Sequence, residues 1–323
     1  MTRTYQSIVL PLDGSELAEQ AIPIAQAIAE RARAKLKLVL VHEPNVLMEP
    51  GPVYAKVELA MQKADREYLK SVAARIRERL GRAISSAVIQ GIPVAQSLST
   101  YARELQADLV IMTTHGRGGV RRAWLGSVTD QMIRSSEIPI LVIRPSEEGA
   151  AKPPTELTEI LVALDGSPLA EAALEPATAL ARLWDAEISL VQVVRPVTLT
   201  GPHLVFPSGY SDQVTAVRRE SAQDYIRDVA ERLRESGVKA NGVAVIGGAV
   251  PQTLIDLGAP ERVSLTVVAT NGRGGTKRLV LGSVADKLVR GAKVPVLVVR
   301  PTGRHARRKS GESNVAVSAG VAF

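Results

Sequence analysis

Two stretches of this chain are near-copies of one another. Thr113-Thr114-His115-Gly116-Arg117-Gly118-Gly119 runs on to Gly126-Ser127-Val128, and Ala269-Thr270-Asn271-Gly272-Arg273-Gly274-Gly275 runs on to Gly282-Ser283-Val284. Each follows a short apolar run, Leu109 to Met112 or Leu265 to Val268, and each opens into a segment able to carry a helix. A glycine-rich loop between a strand and a helix brings bare backbone amides up to an anion, and the helix start adds free N–H groups and a positive dipole end. The stretch reads as a phosphate cradle, present twice.

The repetition reaches beyond the loops. Asp13 recurs 152 residues on as Asp165, while Gly116 recurs as Gly272 and Pro139 as Pro295, each 156 residues on. A period this long means tandem domains and not a solenoid of short repeats. The expected division is residues 1–146 and 157–301, joined by a linker rich in small and charged residues that contains Pro153-Pro154. Residues 302–323 lack hydrophobic periodicity and are expected to be disordered.

Within each copy, short apolar runs alternate with amphipathic ones. Ile8 to Leu12 reads as a strand ending in the turn Asp13-Gly14-Ser15, whose serine is placed to cap a helix. Leu17, Ala21, Ile24, Ala25 and Ile28 share one face of that helix, and Pro23 within it predicts a kink or a late start. Leu36 to Val41 is a second strand, followed after a proline-containing loop by a long helix with Val57, Met61, Ala64, Tyr68, Val72, Ile76 and Leu80 along one stripe. A third strand is expected over Ala83 to Ile89, a helix after Pro93, a fourth strand at Leu109 to Met112 and a fifth at Pro139 to Pro145. The second copy repeats the plan, with Pro168 expected at the first helical position, a longer loop from Arg195 to Gln213, and Val214, Val217, Tyr225, Val229 and Leu233 on its long helix.

Strands rich in Val, Ile and Leu, alternating with helices, predict two doubly wound α/β domains, each a five-stranded parallel sheet covered on both faces. Such sheets bind ligands beyond the carboxyl ends of their strands, where strand order reverses. Asp13, His42 and Thr113 all fall at carboxyl ends, so one crevice can collect their loops. With 46% hydrophobic residues each copy can bury a core, and with only 3% aromatic residues that core must be aliphatic.

The absence of cysteine removes disulfides, thiol catalysis and thiolate metal sites, and fits a reducing compartment. No signal core and no span-length apolar stretch occurs, so a cytoplasmic protein that does not enter a membrane is expected. The net charge of +7 hints at nucleic acid, yet the tail alone holds Arg304, Arg307, Arg308 and Lys309 against Glu312. No basic stripe is interleaved with aromatics, and nucleic-acid binding is not expected.

The cradle is neither a P-loop, since no glycine-lysine-serine or glycine-lysine-threonine end follows, nor a dinucleotide fingerprint, since Arg121 stands where a third glycine is needed. It has its own spacing instead. Nine residues separate Gly116 from Gly126-Ser127, and nine separate Gly272 from Gly282-Ser283.

With the aspartate after the first strand, this spacing resembles the nucleotide motif of universal stress proteins: glycine, two residues, glycine, nine residues, glycine, then serine or threonine. The chain resembles a tandem member of that family over roughly residues 1–301, departing at the first glycine, where Thr113 and Ala269 stand. The resemblance implies ATP or a related adenine nucleotide, with Mg2+. By position it implies that Leu12 with Asp13, and Asp165, approach the ribose or order the nearby loops. Val41 and Val193 would border the adenine, and Met112 and Val268 would lie near the sugar. Thr113, Gly116, Arg117, Gly119, Gly126, Ser127 and Val128 would meet the phosphates, as would Ala269, Gly272, Gly282, Ser283 and Val284. Arg121, Arg122, Arg273, Lys277 and Arg278 can add charge or simply form a solvated face. If a single site is filled, the Thr113 copy is expected to hold it, because Ala269 lacks a hydroxyl.

Catalysis is less supported. Phosphoryl transfer needs an in-line nucleophile and usually a metal on carboxylates, and no Walker-type acidic strand end or catalytic-loop signature is present. Asp130 and Asp286 can reach a magnesium through water or partner the helix dipole. His115 has Asn271 as its counterpart, so no base is required at both sites; His42, His203 and His305 show no ligand-like neighbours, and no metal-only site is expected. The implied role is a nucleotide-responsive regulator with slow ATP hydrolysis at most, acting on an unidentified protein. A nucleotide-free scaffold and an ATP-cleaving enzyme are the alternatives; the latter often carries a Ser-Gly-Gly-x-Asp-Ser loop, where this chain has Asp13-Gly14-Ser15. The last strands, closed by Pro145 and Pro301, are expected to pair with each other as a pseudo-two-fold, with further dimerisation left open.

Overall fold

A computed structural model describes residues 5–44, 49–116, 125–145, 154–198, 209–259, 261–270 and 281–301. Most of the linker and the whole tail thus lie outside the described residues. The first copy begins with β1 (Ser7–Pro11) and the turn at Asp13, after which the helix is broken in two. A single turn, α1 (Glu16–Glu19), is followed at Ile22 by a fresh helix, α2 (Ile22–Ala32), with Pro23 in its first turn. Proline has no N–H to continue the ladder from α1, so the late start expected from Pro23 is how the chain resolves it.

The rest of the copy is β2 (Lys35–His42), α3 (Pro52–Leu80), β3 (Ser85–Gln90), α4 (Val94–Glu104), β4 (Leu109–Thr113), α5 (Ser127–Ser135) and β5 (Ile140–Ile143). In the second copy β6 (Glu159–Leu164) leads not into a helix at Pro168 but into a turn, a 3-10 segment (Ala170–Ala173) and then α6 (Leu174–Trp184). Ser167 Oγ accepts from the Ala170 amide at 3.2 Å, which starts the coil two residues after the proline. Then follow β7 (Glu187–Val194), α7 (Tyr210–Glu235), β8 (Ala240–Ile246), α8 (Val250–Leu257), β9 (Leu265–Ala269), α9 (Ser283–Gly291) and β10 (Val296–Val299).

The expected stripes on α3 and α7 are buried only in part. Leu69, Val72 and Ile76 are covered, while Val57 is 37% and Met61 43% exposed; on α7, Val217 is 64% exposed and Ile226 and Val229 are buried. The reason is length. At about 1.5 Å per residue α3 runs about 43 Å, well beyond the about 26 Å of β2, so its first half projects past the sheet.

The strands form one ten-stranded sheet in the order β3-β2-β1-β4-β5-β10-β9-β6-β7-β8. Pairing is parallel within each copy and antiparallel at the join, where Leu141 of β5 faces Leu297 of β10. These leucines are equivalent positions, so the pairing is self-complementary, as at a two-fold axis. Strand side chains alternate between the faces: Ile8 and Leu10 join one aliphatic core with α2, α3, α6 and α7, and Val9 joins the other with α4, α5, α8 and α9. Both cores run through both copies.

Polar contacts sew the copies together on either face. Arg144 donates to the Arg290 carbonyl at the end of α9 (3.1 Å), and Arg300 donates to the Arg134 carbonyl at the end of α5 (3.0 Å). Each guanidinium meets the negative end of the other copy's helix. On the opposite face Tyr5 donates to the Pro176 carbonyl (3.1 Å), and Arg31 lies 4.9 Å from the Trp184 ring centre.

Candidate functional site

In each copy the strand order turns back between the first and fourth strands, β1/β4 and β6/β9, and the aspartate turns sit at those strand ends. Asp13 Oδ1 accepts from the Ser15 amide (2.9 Å) and hydroxyl (2.6 Å), and Ser15 Oγ accepts from the Ala18 amide (3.2 Å). The second copy reproduces this with Asp165, Ser167 and Ala170 at the same three distances. Gly14 and Gly166 have φ of 84° and 81°, which side-chain-bearing residues rarely adopt, so both turns depend on glycine. The aspartates therefore shape the turns, and the serines do the capping.

Across the crevice, the Asp13 carboxylate lies directly against the backbone of Gly116. A Cβ placed there would come within 1.9 Å of Asp13 Oδ2. The glycines that open α5 and α9 are constrained in the same way by backbone. Gly126 donates to the Thr114 carbonyl at 2.8 Å and Gly282 to the Thr270 carbonyl at 2.8 Å, and a Cβ would stand 2.8 Å and 2.6 Å from those oxygens. Each loop is thus closed at its base by one hydrogen bond that only glycine permits. Ser127 and Ser283 are exposed at the starts of their helices, and no side chain caps the amides of either first turn.

In the second copy this crevice is a cavity of about 1230 Å³. Every described residue expected there lines it: Asp165, Val193, Val268, Ala269, Gly282, Ser283 and Val284. Gly166 and Leu164 join them, and the cavity continues between β7 and α7, reaching Gln192, Val194, Arg218, Ser221, Ala222 and Tyr225. Tyr225 donates to Glu171 at 3.2 Å, a bond that Tyr68 repeats to Glu19 at 3.0 Å in the first copy and that pins each long helix over the first turn. Burial, and then the neighbouring glutamate, push both phenols well above their ordinary pKa, so they stay neutral.

At the corresponding strand end of the first copy three polar side chains meet. His42, 3% exposed at the end of β2, places Nδ1 2.6 Å from Asp65 Oδ2 and Nε2 2.7 Å from Glu58 Oε1, both carboxylates coming from α3. Counted from the paired tyrosines and aspartates, His42 matches Val194, Asp65 matches Ala222 and Glu58 matches Thr215. Burial alone pulls the imidazole pKa down, but the two hydrogen bonds and the carboxylate charges outweigh it, and the net shift is upward. His42 is clamped between two carboxylates, which corrects the expectation that it has no ligand-like neighbours. Both ring nitrogens are taken up, and among the described residues no group of three or more His, Asp or Glu is arranged to hold a metal.

Of the other first-copy residues singled out by sequence, Leu12, Met112 and Thr113 are buried at the strand ends, and Val41 packs partly buried against the α4/α5 core. Thr113 donates its hydroxyl to the His115 carbonyl (2.7 Å), and its own carbonyl accepts from Thr129 (2.9 Å), so the threonine braces the loop. Val128 is half-buried beside it. His115 is held below its ordinary pKa by burial and then by the Arg144 charge. Asp130 and Asp286 are each taken by an arginine one turn on, Arg134 (2.8 Å) and Arg290 (3.0 Å), which places them in helix ion pairs. Arg117, Gly119 and Gly272, together with Arg121, Arg122, Arg273, Lys277, Arg278, His203 and His305, lie outside the described residues.

Two features escaped the sequence reading. The first is the pair Glu58 and Asp65, seven residues apart and so on one face of α3, aimed at the histidine that ends β2. The second is Gln192, the one amide in the apolar run Ile188 to Val194; it is buried, and its Oε1 has no hydrogen-bond partner among the described residues.

Comparison with known proteins agrees with this architecture. The profile of the universal stress protein family matches residues 4–144 and again 156–300, and the chain belongs to that family, with its domain present twice in tandem. Two universal stress proteins of Mycobacterium tuberculosis are similar along nearly their whole length. One is 26% identical over 309 residues, covering 92% of this chain and 98% of that one. The other is 28% identical over 319 residues, covering 92% and 96%. A universal stress protein from Archaeoglobus fulgidus shares the fold, with a TM-score of 0.66 over 94% of this chain and 100% of that one at 18% identity.

Proposed function

We propose that this chain binds an adenine nucleotide, ATP with Mg2+, in the second copy, and acts as a nucleotide-responsive regulator. The observation that carries the reading is the cavity of about 1230 Å³ at the β6/β9 strand ends, with Asp165, Gly166, Val193, Val268, Ala269, Gly282, Ser283 and Val284 on its wall. Membership of the universal stress protein family supports a nucleotide as the class of ligand. In this proposal the amides of Ser283 and Val284 hold phosphate oxygens, Gly282 lets them approach the backbone, Asp165 receives ribose hydroxyls, and Val193 and Val268 flank the base and sugar. Magnesium would come with the triphosphate and would balance the charge of its phosphate oxygens. The first copy, whose β2 end holds His42 between Asp65 and Glu58, is assigned the structural role in this proposal, in place of the expectation that the Thr113 copy holds a single nucleotide.

The regulatory part requires that the order of the cradle respond to phosphate, so that ATP would favour one surface for a protein partner in the cytoplasm. Unchanged hydrogen exchange around Gly116 and Gly272 on adding ATP would count against that part. Binding itself is tested by denaturing freshly purified protein and quantifying released nucleotide by chromatography and mass spectrometry. About one adenine nucleotide per chain is expected. No retained nucleotide, and none bound on adding ATP with Mg2+, would leave a nucleotide-free scaffold.

A further inference from the structure

We infer that Gln192 reads the nucleobase in the second copy, its side-chain amide taking the exocyclic amine of adenine. The inference rests on the nucleotide reading above and adds which part of the ligand is recognised and by what.

Gln192 is 7% exposed and lies in β7 between Leu164 of β6 and Ala244 of β8. The residue lines the cavity, and its Oε1, closed to solvent, has no hydrogen-bond partner among the described residues. A buried carbonyl left unpaired is costly, so its persistence beside a large cavity points to a donor supplied from outside. The cavity is open at this point for a reason visible in the side chains: α7 presents Ser221 and Ala222 there, where α3 presents Ala64 and Asp65. The first copy also has Leu40 where the second has Gln192, two residues before His42 and Val194 respectively. The polar group and the room for a ring occur together in one copy.

A side-chain amide offers one acceptor and one donor side by side, and adenine offers the complement along its N6/N7 edge. Hypoxanthine differs from adenine there by having O6 in place of the amine. It would set an acceptor against Oε1, leaving the buried carbonyl unpaired.

The test uses the full chain and calorimetric titration with three probes: ATP, ITP and inorganic triphosphate, each with Mg2+. Wild-type protein should bind ATP about tenfold more tightly than ITP. Gln192→Leu should weaken ATP by about the same factor, leave ITP within about twofold, and leave triphosphate unchanged. Gln192→Met, closer in shape, carries the same expectation and serves if the leucine variant fails to fold. Equal wild-type affinities for ATP and ITP, or an ATP preference surviving in either variant, would overturn the inference and assign the amide to bound water. Failure of wild-type protein to bind either nucleotide would instead overturn the nucleotide reading, and this inference with it.

Discussion

His42 and Asp65 meet at 2.6 Å in the first copy, and the residues that match them in the second, Val194 and Ala222, carry no charge. The end of β2 thus carries a buried polar cluster where the end of β7 lines a cavity. His42 has a raised pKa in the folded protein, so its stabilising effect is full below the ordinary 6.5 and is lost as pH rises through the folded value. An NMR titration should place the His42 midpoint above 6.5, with the denaturation midpoint falling across the same interval. His115, buried near Arg144, should titrate below 6.5 in the same spectra. A His42 midpoint below 6.5 would contradict the clamp.

Removing the cation alone should be worse than removing the whole cluster. His42→Val removes the group that both Asp65 and Glu58 bond and should cost about 3 kcal/mol in urea unfolding. Converting all three to their second-copy counterparts, His42→Val with Glu58→Thr and Asp65→Ala, should recover most of that loss. A triple variant no more stable than the single one would mean that packing, not charge, dominates.

Gly126→Ala and Gly282→Ala should cost similar stability, about 1–3 kcal/mol, because each sets a methyl group against a carbonyl oxygen, at 2.8 Å and 2.6 Å. Their effects on ATP should differ: more than about tenfold weaker binding for Gly282→Ala and less than about twofold for Gly126→Ala. Equal losses would show that both copies hold nucleotide.

Gly116→Ala should displace the Asp13 carboxylate, whose Oδ2 would lie 1.9 Å from the new methyl group. A loss of about 1–3 kcal/mol is expected. Adding Asp13→Ala removes the clash, so a double-mutant cycle should return a coupling of about 1 kcal/mol or more. Strict additivity would show that the two groups do not touch.

Arg144 and Arg300 bridge the copies reciprocally, each onto the last turn of the other copy's helix. Replacing either by alanine should cost about 1 kcal/mol, and replacing both about twice that, since the two guanidiniums bond different carbonyls. The readout is the urea midpoint of the full chain; no change in the double variant would assign the join to β5/β10 and the cores alone.

Much of this was legible in the chain because it is local. The alternation of aliphatic runs with amphipathic ones locates strands and helices, and the offsets from Asp13 to Asp165 and from Gly116 to Gly272 reveal the duplication. Pro23 warned of the split between α1 and α2. Pro168 misled, because a proline suited to a helix start also suits a turn, and the Ser167 cap settles on the turn followed by a 3-10 segment. The stripe on α3 was overread, because periodicity reports which face of a helix is apolar and says nothing of where its neighbour ends.

By itself, then, the sequence determined the α/β class, the duplication, the glycine-bounded loops and the aspartate turns, all of which depend on residues close together along the chain. The tertiary structure alone decided that the two copies share one continuous sheet through Leu141 and Leu297, and that the ends of β2 and β7 meet different side chains. His42 is brought to Glu58 and Asp65, and Gln192 to the wall of a cavity, by the packing of a long helix across a strand. That packing joins residues sixteen or more positions apart, so no local pattern encodes it.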